Sequence, residues 1–163
     1  MPDTIVINTG PIISIVAATG DLRVLNKLYK EVYVPFEVSR ELTISSTSIF
    51  AQDEFNEADF LIKIDNPIDI SSLLNNSLDK GEAAVIQLAL DKSINVVCID
   101  EKVGRRIARL NNLTLIGSIG ILIKAKELGY IASIKEAINK MQTKGIYLSD
   151  NVINFALRAS NEK

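Results

Sequence analysis

The sequence predicts an α/β fold with a mainly parallel central sheet flanked by helices on both faces. Short apolar runs rich in β-branched residues alternate with amphipathic helical patterns, which implies βαβ units. No internal repeat, low-complexity tract or linker divides the 163 residues, so residues 1–163 read as one domain.

In chain order, Thr4 to Ile7 is the first apolar run, and Asn8-Thr9-Gly10-Pro11 ends it with turn chemistry, leaving Asn8 at the C-terminal end of a strand. Pro11 suits the first turn of a helix carrying Ile12, Ile13, Ile15 and Val16, which closes near Gly20. Asp21 is placed to cap a second helix with Leu22, Leu25 and Leu28 on its apolar face. Val32 to Pro35 reads as a strand and Phe36 to at least Leu42 as a helix with Glu41 in its last turn. Thr43 to Asp59 is polar and weakly patterned, which fits a loop or irregular helix.

Phe60 to Ile64 alternates as a strand does, and Asn66-Pro67 turns the chain. Asp79 and Glu82 have capping-box spacing and open a strong helix whose apolar face is read as Val85, Ile86, Ala89 and Leu90. Asn95 to Ile99 is the next strand, Lys102 to Leu110 its helix, and Leu113 to Ile116 a further strand. Gly117-Ser118 opens a helix to Leu128, stopped by Gly129. Amphipathic helices at Ile134 to Met141 and Asn151 to Ala159 follow, the last capped by Ser149 or Asp150.

Composition narrows the chemistry. No apolar run approaches the ~18 residues that span a bilayer, and the N-terminus lacks a basic region ahead of its apolar residues. A soluble, cytoplasmic protein is expected. The lone Cys98 lies inside a strand pattern as a small hydrophobe and offers no disulfide. Histidine is absent, which excludes Ser-His-Asp triads, Cys-His dyads and histidine zinc sites. Hydrolytic chemistry would then rest on carboxylates and a hard cation. Neither GxxxxGK[ST] nor GxGxxG occurs, so no nucleotide cofactor is expected, and GxSxG is also missing.

In open α/β sheets ligands bind beyond the carboxyl ends of the strands, where Asn8, Asp100 and Ser118 all fall. Taken singly, each acid has an ordinary explanation: Asp100 as a helix N-cap, Glu101 in a first turn, Glu82 in a capping box, Glu41 solvated. Taken together, they are oxygen ligands suited to a divalent cation. The net charge is -2, yet Lys102, Arg105, Arg106, Arg109, Lys124 and Lys126 fall in a stretch without acids, while Asp53, Glu54, Glu57 and Asp59 crowd an earlier one. Lys102, Arg105, Arg106 and Arg109, beside the acids, are suited to hold a phosphate backbone.

The blocks IVINTGPIISIVAATGDLRVLNKLY, VPFEVSREL, DKGEAAVIQLAL and VVCIDEKVGRRIARLNNLTLIGSIGILIKAKELGYI resemble PIN-domain proteins nearly end to end. They resemble more closely the branch of VapC-like toxin ribonucleases paired with small antitoxins. The resemblance implies a single PIN-like domain, cleavage of RNA with Mg²⁺ or Mn²⁺, a small antitoxin partner and a homodimer. Its first acidic position falls on Asn8, the second on Glu41, the third on Glu82 and the fourth on Asp100. Glu101 is implied as an auxiliary metal acid and Ser118 as a supporting hydroxyl. The family has Asp where this chain has Asn8. An amide oxygen still ligates a hard cation, but one negative charge is lost. Three readings stay open: an engineered inactivation, a natural member that binds RNA or an antitoxin-like protein without cutting, and a working variant in which Glu101 restores the charge.

Overall fold

The computed structural model describes residues 3–44 and 49–163. Five strands, β1 (Thr4–Ile7), β2 (Glu31–Val34), β3 (Leu61–Lys63), β4 (Val96–Cys98) and β5 (Thr114–Ile116), form one sheet in the order β3-β2-β1-β4-β5. Every neighbouring pair is parallel, in register Val6↔Tyr33, Ile7↔Cys98, Val34↔Lys63 and Cys98↔Ile116. The helices are α1 (Thr9–Thr19), α2 (Arg23–Leu28), α3 (Phe36–Ile44), α4 (Ile49–Glu57), α5 (Ser72–Ser77), α6 (Lys80–Asp91), α7 (Lys102–Leu110), α8 (Ser118–Glu127), α9 (Ile134–Thr143) and α10 (Asp150–Ala159).

The α/β fold with a parallel sheet between helices is therefore the one the alternating pattern implies. Ile5, Val6 and Ile7 are buried in succession, as are Val96, Val97 and Cys98, so both faces of the central strands are covered. Each such aliphatic side chain contributes about 1.5–3 kcal/mol by leaving water. A second apolar cluster joins Ala17 and Ala18 of α1 to Leu122 and Ile123 of α8, Ile134, Ile138 and Met141 of α9, and Ala156 of α10.

Strand order places the site. The chain steps outward from β1 through β2 to β3, then returns to lay β4 on the other side of β1. The order reverses between β1 and β4, and a crevice opens at such a switch point beyond the strand ends. Asn8 leaves β1 there, its N–H bonded to the Cys98 carbonyl at 3.1 Å, and Asp100 leaves β4 beside it.

Two local expectations are corrected, one is narrowed and one element is added. The cap of α2 is Leu22, and Asp21 stands one residue earlier, accepting from Arg23 N at 3.0 Å. Within 43–59, residues 49–57 form the helix α4, which buries Ala51 and Phe55 one turn apart, while 45–48 lie outside the described residues. The short helix α5 was not indicated by the sequence pattern; Ser71 caps it and only Leu74 is buried. On α6 Leu88 is buried one turn beyond Ala84 and Val85, whereas Leu90 is 41% exposed, so the buried face extends over the 84-88 side of the helix and not to Leu90.

At the C-terminal end, the Glu162 carboxylate accepts from Lys126 Nζ at 2.6 Å, Ile134 N at 2.7 Å, and Lys135 N and Ser133 Oγ at 3.0 Å. Burial alone would raise this carboxyl, but the four donors outweigh it and hold it at about 2. A negative group at the open N–H end of α9 is favourable for the same reason that a cap is. Lys126 also donates to the Ser160 carbonyl at 2.8 Å, so it does not join the basic stretch near the acids. No helix among the described residues is long and apolar enough to cross a membrane.

Candidate active site

Asn8 is the first residue of the crevice. It occupies the N-cap position of α1 with extended backbone but its side chain caps nothing; it is 6% exposed, and its Oδ1 is buried without a hydrogen-bond partner. A buried carbonyl oxygen left unpaired costs about 1–3 kcal/mol. Thr9, the next residue, donates from Oγ1 to Glu41 Oε2 at 2.7 Å. That bond brings the last turn of α3 to the end of β1.

Glu41 rests against Gly81 in the first turn of α6, its Oε1 touching the site where a Cβ would stand. Burial raises its pKa, the Thr9 hydroxyl opposes this, Asp79 adds to it, and the Gly81 N–H opposes it again. The first turn of α6 is shaped by Asp79, whose side chain accepts from Glu82 N at 2.9 Å. The Asp half of the expected capping box is thereby made. Glu82 itself turns inward to 7% exposure, and its Oε2 is buried, unpartnered, and seated on Gly104 of α7.

Three acids crowd Glu82. Burial is the largest cause of its raised pKa, followed by the Asp79 side chain and then the charges of Glu101 and Glu41, and together they push it up to about 8. A carboxyl so placed holds a proton at neutral pH until a positive charge arrives. Asp100, in contrast, is exposed but well anchored: Ser118 N donates to its Oδ1 at 2.8 Å and Ser118 Oγ to its Oδ2 at 2.9 Å. Glu101 is exposed at the N-cap of α7 and makes no side-chain cap.

The basic helix divides. Arg105 is half-buried, and its Nη1 donates to the Ile99 carbonyl at 2.8 Å, so the guanidinium braces the Asp100 turn. Lys102, Arg106 and Arg109 are exposed along α7. Cys98, wholly buried, has its thiol pushed well up, first by burial and then by Asp100, with Arg105 opposing; it is not a nucleophile.

Glu41 and Glu101 thus both lie within electrostatic reach of Glu82, and Asn8 and Asp100 leave adjacent strands. Among the described residues no three Asp, Glu or Cys side chains are grouped as a ready-made metal cluster. Sequence reasoning gave Thr9 no part in the site and read Asp79 only as a helix cap, not as a charge acting on Glu82. The signal for Thr9 was its place directly after a strand-end amide; for Asp79 it was an acid three residues before Glu82 at a helix start.

Acids collected at the switch point of a parallel sheet, with a basic helix alongside, are the parts of a nuclease-type fold. A family model described as a PIN domain matches residues 4–162, and the chain belongs to that family. No curated protein matches it.

Proposed function

We propose that this one-domain protein is a cytoplasmic, metal-dependent endoribonuclease of toxin-antitoxin type, VapC-like, working as a homodimer and restrained by a small antitoxin protein. The observation that carries the reading is the pair of buried, unpartnered oxygens, Asn8 Oδ1 and Glu82 Oε2, beside the acids at the strand ends. Buried polar atoms are nearly always paired, so two orphans in one crevice fit a missing positive group. All the donors are oxygens, which suits Mg²⁺ or Mn²⁺.

Asn8, Glu82 and Asp100 would hold the cation, with Glu101 at its open side. When bound, the cation supplies Lewis-acid polarisation of a phosphoryl oxygen and a lowered pKa for water. Glu82 would lose its proton to solvent as the cation took its place beside it. Glu41, fixed by Thr9, would complete the acid set around the cation and orient the attacking water or accept its proton. Lys102, Arg106 and Arg109 would grip the phosphates of RNA, with Arg105 nearer the reacting group, and Ser118 holds Asp100 in place.

Asn8 favours a second reading, a PIN-fold module that binds RNA or an antitoxin-like protein without cutting, since the amide removes one charge from the ligand set. Cleavage of RNA by purified protein with Mn²⁺, compared with Asn8→Asp and Asp100→Ala, tests both. Cleavage that rises in Asn8→Asp and vanishes in Asp100→Ala is expected. No cleavage by either the natural chain or Asn8→Asp would overturn the nuclease and leave the binding module.

A further inference from the structure

The eight glycines of the chain fall into different classes. Gly20, Gly129 and Gly145 have φ of 91°, 80° and 87° with open space where a Cβ would stand, so the turn alone accounts for them. Gly10 also faces open space, and Gly120 faces the Ile116 side chain. Gly81, Gly104 and Gly117 are unlike these. None has a positive φ, so the backbone at each accepts alanine.

What alanine would meet there is, in every case, an acid of the crevice. At Gly81 the three nearest atoms to an added Cβ all belong to Glu41, with Cδ at 3.0 Å, Oε2 at 3.2 Å and Oε1 closer still. At Gly104 the nearest is Glu82 Oε2, followed by Ile99 Cγ2 at 3.0 Å and Glu82 Cδ at 3.3 Å. At Gly117 they are Asp100 Oδ1 at 2.9 Å and Arg105 Nη1 at 3.0 Å. Gly81 and Gly104 lie in the first turns of α6 and α7, where glycine is still the poorer helix former than alanine. The local helix gains nothing from them. Each instead lets a carboxylate from another segment lie directly on its backbone.

We propose that Gly81, Gly104 and Gly117 are positioning residues, three seats that fix Glu41, Glu82 and Asp100 in the geometry the site needs. The inference rests on the reading of these acids as the metal and RNA site. It predicts that one carbon added to a seat is compensated by one carbon removed from its acid. The Glu41–Gly81 pair gives the cleanest cycle, because no third side chain is among the nearest atoms.

Mn²⁺ binding by calorimetry and thermal unfolding of the metal-free protein are measured for the natural chain, Gly81→Ala, Glu41→Asp and the double variant. Gly81→Ala is expected to weaken Mn²⁺ binding by about tenfold, the size typical for groups that orient ligands. The double variant should bind more tightly than Gly81→Ala. Unchanged binding in Gly81→Ala, or a double variant weaker than both singles, overturns the seat. If the natural chain takes up no Mn²⁺, the metal reading falls and the seat is judged on unfolding alone. Gly81→Ala must then lower the midpoint, and lower it less in the Glu41→Asp background. A raised midpoint in Gly81→Ala, as helix propensity alone would give, or equal lowering in both backgrounds, overturns it.

Discussion

Replacing Glu162 by glutamine removes a charge while keeping the shape of the clamp at the start of α9. The carboxylate has four donors around it and is 15% exposed, so its bonds are neither fully dry nor fully wet. Hydrogen bonds to a charged group contribute about 1.5–3 kcal/mol each when isolated, but donors sharing one carboxylate are not additive and solvent weakens them. A loss of about 2 kcal/mol in Glu162→Gln at pH 7 is the expected size, since an amide keeps one acceptor and turns an NH₂ toward donors.

The pH dependence follows from the depressed carboxyl. Unfolded, Glu162 titrates near the ordinary 4.5; folded, near 2. Between these values the unfolded chain binds more protons, so its stabilisation is complete above the first and is lost as pH falls through the second. Urea unfolding followed by circular dichroism at pH 7, 5 and 3 measures the gap between the natural chain and Glu162→Gln. The gap should shrink between pH 5 and 3. A gap of the same size at all three pH values, or no gap at pH 7, would refute the charge argument.

Other outcomes are expected at the site. In metal-free protein Asn8→Asp introduces a buried charge beside the other acids and should lower stability by about 1–3 kcal/mol, recovered on adding Mn²⁺; equilibrium unfolding with and without the ion checks this. Glu82, held up to about 8, binds a proton when folded that it loses when unfolded, so metal-free stability should fall as pH rises from the usual carboxylate range through 8. Glu82→Gln should flatten that fall, seen as converging then crossing melting curves. Ser118→Ala leaves Asp100 the backbone bond only and should cost about 1 kcal/mol, with weaker Mn²⁺ uptake by calorimetry.

Much of the fold was legible because its pattern is strong where the sheet is buried. The strand read at Asn95 to Ile99 is found at Val96–Cys98, ahead of Asp100, Glu101 and the basic helix, and α7 starts and ends at the expected Lys102 and Leu110. Weakly buried elements were harder. Helix α4 was obscured because its apolar residues Ala51 and Phe55 sit among acids, and α5 buries a single leucine. At the site, residue type gave the acids and their strand-end places. Which oxygens are orphaned was not legible, since the burial of Glu82 depends on Gly104 arriving from a different element. Nor could spacing tell that Arg105 spends a donor on the Ile99 carbonyl while its neighbours stay free in solvent.

The reversal of strand order also sets when the crevice comes into being during synthesis. β1 is the first strand of the sheet in chain order, yet its partner on the site side is β4, and Ser118, which anchors Asp100, comes later still. Glu41 gains its seat only with α6, Asn8 its opposite wall only with β4, and Asp100 its anchor only with α8. Such dependence on distant contacts is slow to satisfy, so the crevice is among the last parts of the fold to close.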